Sequence, residues 1–326
     1  MTAVADEFAV RTEDLGKVYG ELPAVVGLDL SVPRGTTFGF LGPNGAGKTT
    51  TISMLCTLLR PTVGRAFVAG HDVVAEPHSV RERIGLVFQE TTLDLDLTAE
   101  EGLRFHAELF GIPWRVSRPK VAALLELVDL TGSKDRPVRE FSGGMRRRLE
   151  IARGLLTTPQ VLFLDEPTTG LDPQTRTVIW EHLHELREQH GITLFLTTHH
   201  LEEAEHCDRI AIMDGGQVEV EGSPAELKAE VGHDTVVLRT GDDAAAVRVI
   251  AERFGLDAVS GPDGVRLRVA DGAAFVPAFC AEAGVPVLSA TVVPPSLDDV
   301  FLHHTGRTIR AERSGPLTVN DVGRRR

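Results

Sequence analysis

The chain has 326 residues, 42% of them hydrophobic and 25% charged, with a formal net charge of −13. That size and balance fit a globular protein with one large core and room for a small second domain. Dense basic runs occur only at Arg146-Arg147-Arg148 and Arg324-Arg325-Arg326, so no nucleic-acid partner is expected, because such binders carry a basic face or stripe.

Phe8 to Thr12 and Leu28 to Val32 alternate apolar and polar residues and read as short strands, with a turn at Pro33-Arg34-Gly35. Thr37 to Leu41 is mostly apolar, as a buried strand is. A glycine-rich loop fills 42–47. Thr49 to Leu59 reads as a helix, closed by Arg60-Pro61-Thr62-Val63-Gly64. Another apolar run covers 84–88. From about 98 to 158 the pattern turns helical, which predicts an inserted helical subdomain over about 90–158. Strands then alternate with helices: Val161 to Leu164, a helix near 173–190, Ile192 to Leu196, a helix over 201–206, and Arg209 to Met213. That alternation predicts a parallel sheet.

From residue 233 the order is β (235–240), α (243–255), β (257–260), β (264–270), α (272–284), β (287–293). This is the βαββαβ, ferredoxin-like arrangement. A short helix runs from Pro295 to His304, and 306–326 is a polar, Arg-rich tail expected to be poorly ordered. The three cysteines, Cys56, Cys207 and Cys280, form no C-x-x-C pair, so neither a disulfide framework nor a zinc site is expected and a reducing cytosol fits. The N-terminus lacks a basic and apolar leader pattern, and no apolar run reaches the roughly 20 residues of a spanning helix. If the protein serves a membrane, another chain is expected to cross it.

Gly42-Pro43-Asn44-Gly45-Ala46-Gly47-Lys48-Thr49 matches G-x-x-x-x-G-K-[ST] and sits between a predicted strand and helix. Its glycines let backbone N–H groups curl toward phosphate oxygens, and the helix N-terminus adds positive charge. Lys48 is expected to reach the β- and γ-phosphates, and Thr49 to ligate Mg²⁺; Thr50 completes the nucleotide contacts. Val161 to Glu166 is an apolar strand ending in two acids. Asp165 is expected to hold Mg²⁺, and Glu166 to polarise the attacking water. No N-K-x-D guanine reader occurs.

Between these halves, Phe141-Ser142-Gly143-Gly144-Met145 resembles the L-S-G-G-Q signature of ABC ATPases. Other elements of that family follow over about 8–230. Tyr19 resembles the aromatic that stacks on adenine, Gln89 the Q-loop glutamine, Gly170-Leu171-Asp172 the D-loop and His199 the switch histidine. The resemblance implies ATP and Mg²⁺ as cofactors, with Gln89 also near the metal. It implies two copies docked head-to-tail on ATP binding. Ser142, Gly143 and Gly144 of one copy would then cap the γ-phosphate held by the other, with Asp172 bridging the two sites. His199 would hold Glu166 and the water in line, so the catalytic set is Lys48, Glu166 and His199. Two departures stand out: Phe141 in place of Leu, and Met145 in place of a Gln that in the family can contact ribose. Nearby His200 and His206 leave a metal cluster with His199 as an alternative, and the arginines after Met145 read as a solvated helix face.

The fold expected is thus α/β: a P-loop NTPase domain of the ABC ATPase type over 1–232 with its helical subdomain, then an α+β ferredoxin-like domain over 233–305 and a tail. Pro295 to Arg307 and the Phe-Ser-Gly-Gly-Met variant resemble drug-exporter subunits of the daunorubicin-resistance type. That implies a peripheral ATPase at the cytoplasmic face of the membrane, driving efflux of a hydrophobic or amphipathic compound through a polytopic permease. Coupling would run through Gln89 and a cleft over roughly 90–112. A lipid or polysaccharide precursor as cargo, a second domain that only strengthens dimerisation, and a non-transport ABC ATPase remain open alternatives.

Overall fold

The computed structural model describes residues 7–307, so the expected tail lies, from 308 onward, outside the described residues. Two compact units divide between Ser223 and Pro224. The first opens with a hairpin of β1 (Phe8–Tyr19) and β2 (Leu22–Pro33), turned at Gly20, which has φ 61°. Both strands outrun the alternation seen in the sequence. The β1–β2 ladder shifts register between Thr12 and Leu15 and again at Leu15/Lys17 and Lys17/Val18, and each such bulge moves the apolar set to the other face.

β3 (Thr37–Leu41) and α1 (Lys48–Leu55) follow. The helix ends at Leu55 rather than Leu59. Thr57 turns left-handed at φ 62°, and the N–H groups of Leu58 and Leu59 both donate back to Ser53 O, at 2.9 and 3.0 Å. The breaker at 60–64 leads into β4 (Val63–Val68), which pairs antiparallel with β1, and then β5 (His71–Asp72). After α2 (Pro77–Arg81) and β6 (Ile84–Val87) comes the helical subdomain: α3 (Ala99–Leu109), α4 (Trp114–Leu127) and α5 (Gly143–Gly154). A capping box between Thr98 and Glu101 starts α3.

The chain then runs through β7 (Val161–Asp165), α6 (Pro173–His190), β8 (Thr193–Thr198), α7 (Leu201–Ala204), β9 (Arg209–Asp214) and β10 (Gln217–Gly222). The main sheet has the order β10-β9-β3-β8-β7-β6, parallel except for β10. Every residue of β3, β7 and β8 is buried, as expected of parallel strands covered on both faces. The strand order sets the site. The C-terminal ends of the neighbours β3, β8, β7 and β6 deliver the glycine-rich loop, His199, Asp165-Glu166 and Gln89 to one rim of the sheet.

The second unit comprises α8 (Pro224–Val231), β11 (Asp234–Thr240), α9 (Asp243–Val249), β12 (Ala258–Gly261), β13 (Gly264–Val269), α10 (Gly272–Glu282), β14 (Val287–Val293) and α11 (Leu297–Thr305). Its antiparallel sheet has the order β12-β13-β11-β14, which is the ferredoxin-like order. α8 packs on α11. The boundary therefore falls before α8, at 223/224, rather than at 232/233.

Beneath the rim, Phe195 of β8 packs against Phe38 of β3 and Phe163 of β7, each with ring centroids 5.3 Å away. Phe38 and Phe163 are its direct cross-strand partners. All three rings are fully buried. Phe195→Ala is expected to destabilise the first unit by about 3–5 kcal/mol. A urea unfolding midpoint matching the parent protein would contradict this.

Candidate functional site: a phosphate cradle and a buried carboxylate

Gly45 and Gly47 take φ 83° and 105°, conformations that side-chain-bearing residues rarely adopt. A Cβ on Gly47 would stand 2.4 Å from Ala24 O of β2, so the hairpin that bears Tyr19 also packs on the loop. Tyr19 itself is half exposed at the end of β1, with Lys17 Nζ 5.3 Å from its ring centroid. Lys48 is buried at 5% exposure. Its Nζ donates to Gly42 O at 2.7 Å and Pro43 O at 3.0 Å and lies 3.9 Å from Glu166 Oε1.

Thr49 Oγ1 and Thr197 Oγ1 both donate to Asp165 Oδ1, at 3.3 and 2.5 Å. Glu166 is the most heavily held group of the site. Its Oε1 lies 3.0 Å from His199 Nδ1, and its Oε2 accepts from Gln89 Nε2 at 3.0 Å and Thr169 Oγ1 at 3.1 Å. Its backbone is left-handed, φ 46°, with the N–H donating to Thr197 O at 3.2 Å. Such a conformation costs on the order of 1–3 kcal/mol and persists where surroundings over-determine it.

Burial alone would raise the Glu166 pKa. The His199 hydrogen bond, the His199 and Lys48 charges and the Thr169 bond outweigh it and hold the carboxyl below the usual glutamate range. Contacts to the carboxylate are therefore complete above the ordinary glutamate pKa and are lost only as pH falls through the lower folded value. At neutral pH the group is an ionised acceptor.

A second group forms around the start of α5. Ser142 caps this helix, its Oγ accepting from Met145 N at 3.2 Å. A Cβ on Gly144 would meet Thr175 Cγ2 at 2.4 Å, and one on Gly143 would meet Leu171 Cδ2 at 3.4 Å. Only a glycine at 144 lets α5 approach the 170–175 turn so closely, whereas a Cβ at 143 would make an ordinary contact. Asp172 caps α6 there, accepting from Thr175 N at 3.0 Å and Thr175 Oγ1 at 2.6 Å, which lowers its pKa.

The structure thus gathers Lys48, Thr49, Asp165, Glu166, His199 and Gln89 in one place, and Ser142, Gly143, Gly144 and Asp172 in another. Among the described residues no His, Cys, Asp or Glu cluster is arranged to hold a metal. His206 stacks on Trp180 at 4.9 Å instead of joining His199. One reading needs correction: Arg147 is not on a solvated face but is buried at 6% exposure. Sequence reasoning also missed Thr197 and Thr169. They carry no motif of their own; only strand pairing and the turn after β7 bring them to the acids.

This rim of glycine-rich loop, strand-end acids and His199, beside a capped Ser-Gly-Gly helix, has the make-up of an ATP-binding cassette. Residues 25–169 match the ABC transporter family, and residues 222–305 match the C-terminal domain of the DrrA1-3-like ATP-binding proteins. The chain belongs to the ATP-binding proteins of the ABC transporter family and is an ATP hydrolase. It is 43% identical to the daunorubicin resistance ATP-binding protein DrrA3 of Streptomyces coeruleorubidus, over 94% of this chain and 98% of the relative. It is 42% identical to the Nod factor export ATP-binding protein I of Ralstonia nicotianae, over 92% and 95%. Among solved structures it resembles the dimeric, post-hydrolysis form of the ATP-binding cassette MJ0796 bound to ADP and Pi. The TM-score there is 0.60 at 28% identity, covering 66% of this chain and 98% of that one. Subunits of this family dimerise and work with membrane subunits.

Gly47→Ala is expected to strain the loop and push it off Ala24, lowering ATP affinity by more than about tenfold. Equilibrium titration with a fluorescent ATP analogue reads this directly, and unchanged affinity would overturn the cradle geometry.

Proposed function

We propose that this chain powers export of a hydrophobic or amphipathic, drug-like compound, sitting peripherally at the cytoplasmic face of a membrane beside a separate polytopic permease. The observation that carries this reading is similarity to drug-resistance ATP-binding proteins along nearly the whole chain, second unit included. Among the described residues no helix is long and apolar enough to cross a membrane. A second reading, with a cargo such as a lipid or polysaccharide precursor, rests on comparable identity to exporters named for Nod factor.

In this reading Gly42, Pro43, Asn44, Gly45, Ala46, Gly47, Lys48, Thr49 and Thr50 cradle the phosphates, and Tyr19 stacks on adenine. Lys48 trades the carbonyls it now holds for phosphate oxygens. The hydroxyl of Thr49, the carboxylate of Asp165 and the amide oxygen of Gln89 form a hard-oxygen donor set that fits Mg²⁺. When bound, that ion neutralises phosphate charge. Glu166 accepts the proton of the attacking water, and His199 orients both. Ser142 spends its oxygen on the helix cap, which leaves its O–H to donate to the γ-phosphate of a twin subunit. Gly143 and Gly144 add backbone N–H groups, and Asp172 lies beside them for the cross-interface contact.

The permease would dock where α3 lies. A cavity of about 260 Å³ there is lined by Thr92, Leu97, Leu103, Phe105, His106 and Arg153, among others. Phe105, Leu109 and Phe110 on its flank are each at least 50% exposed, an apolar patch of the kind that marks an interaction site.

Glu166→Gln is expected to bind ATP normally, to lose roughly 10²–10⁴-fold in turnover, and to elute as a dimer when ATP is present. Normal turnover would remove Glu166 from the base role. Phe105→Asp should keep ATP binding by the isolated subunit yet abolish efflux when expressed with its permease. Wild-type drug accumulation in that strain would move the docking site elsewhere.

A further inference from the structure

Successive residues leave a helix about 100° apart, and of Arg146, Arg147 and Arg148 only Arg147 is buried. Arg147 falls on the inner stripe with Gly144 and Ile151, both buried. Its guanidinium is spent on three carbonyls and one carboxylate. Nε donates to Pro167 O at 2.6 Å and Nη2 to Asp165 O at 3.1 Å. Nη1 donates to Phe88 O and to Glu150 Oε2, the latter at 3.1 Å. Glu150 is 1% exposed, and its other oxygen accepts from Thr92 N at 2.9 Å.

The partners are informative. Asp165 and Pro167 flank Glu166, and Phe88 precedes Gln89. The left-handed Glu166 is therefore gripped through the carbonyls on both sides, while its own N–H is tied to Thr197 O. Rotating the Asp165–Glu166 peptide to relax φ would break a bond to Arg147, and the Pro167–Thr168 peptide, one further along, is pinned by the same guanidinium. Thr92 lines the cavity beside α3, so a continuous series of bonds runs from that cleft through Glu150 and Arg147 to the Glu166 turn.

We propose that Arg147 is a positioning residue for ATP hydrolysis, whose guanidinium fork locks the Glu166 turn and the Gln89 strand end to the Ser142-led helix so that they keep one geometry. This rests on Glu166 acting in hydrolysis as described above. An ammonium cannot replace the fork: it pairs with Glu150 as a point charge but cannot span carbonyls of two separate segments.

The test uses the purified full chain with Arg147→Lys, Arg147→Met and Glu166→Gln side by side. It measures kcat and KM for Mg-ATP, affinity for a fluorescent ATP analogue, and Tm. Arg147→Met is expected to lose at least about tenfold in kcat with analogue affinity within about twofold, since a misplaced catalytic group costs rate rather than binding. Arg147→Lys should fall at least about fivefold in kcat while melting closer to the parent. If Arg147→Met does not fold, the Lys variant decides. Unchanged kcat per folded protein with only a lowered Tm would reduce Arg147 to a packing residue and overturn the proposal. Normal turnover of Glu166→Gln, with either Arg147 variant slowed, would instead remove the base reading and leave Arg147 acting on another group.

Discussion

One constraint governs this molecule: the Glu166 carboxylate must stay ionised where water scarcely reaches it, on a backbone that resists its own conformation. At 7% exposure the bare charge would be driven to protonate. His199, Lys48, Gln89 and Thr169 each supply a compensating contact, and they come from the ends of four parallel strands or the turn just beyond. No single element could assemble that set. Parallel strand order does so because it aligns all C-terminal ends on one rim, and the phenylalanines packed beneath tie β3, β8 and β7 together.

Lys48 faces the matching problem. Its ammonium is buried and spread over two loop carbonyls and the distant edge of Glu166. Neither carbonyl is a strong partner compared with phosphate, because a charged acceptor roughly doubles the strength of such a bond. The loop thus holds this cation on weak, neutral acceptors. On the role proposed for Lys48, a triphosphate would replace weak partners by strong ones without first exposing a charge.

The central machinery was legible because its chemistry is local. The phosphate loop, the strand-end acid pair and the Ser-Gly-Gly helix start are each contiguous, and their spacing alone implies a backbone shape. The ferredoxin-like order of the second unit was also readable, since β13 alternates buried and exposed residues and α9 and α10 each open on an Asp cap. Other parts were hidden for definite reasons. Bulges in β1 and β2 scrambled the period-2 pattern. β10 was overlooked although Gly215-Gly216 between β9 and β10 is a strong two-residue hairpin signal. Thr197 looked like any residue of a buried strand, and its partner Asp165 becomes apparent only once β7 and β8 are paired. Arg147 was obscured by its neighbours. A run of three arginines suggests solvent, yet the stripe Gly144, Arg147, Ile151 has the i, i+3, i+7 spacing of a buried face.

The altered signature is best understood through the same local physics. Phe141, in place of leucine, is 4% exposed and packs inside, so its extra volume is absorbed before the helix begins. Met145 enters the cap only through its backbone N–H, which Ser142 accepts; any non-proline residue could supply that donor. What fixes the helix tip is the Ser142 cap and Gly144, which lets α5 close on Thr175. The tip and Asp172 are thereby built close together, with Ser142 and Gly143 exposed at the helix N-terminus. A change from glutamine to methionine removes a side-chain amide from that tip but leaves Ser142 and the helix N-terminal N–H groups in place. On the proposed pairing of two copies, the swap would therefore cost a sugar contact and spare phosphate capping.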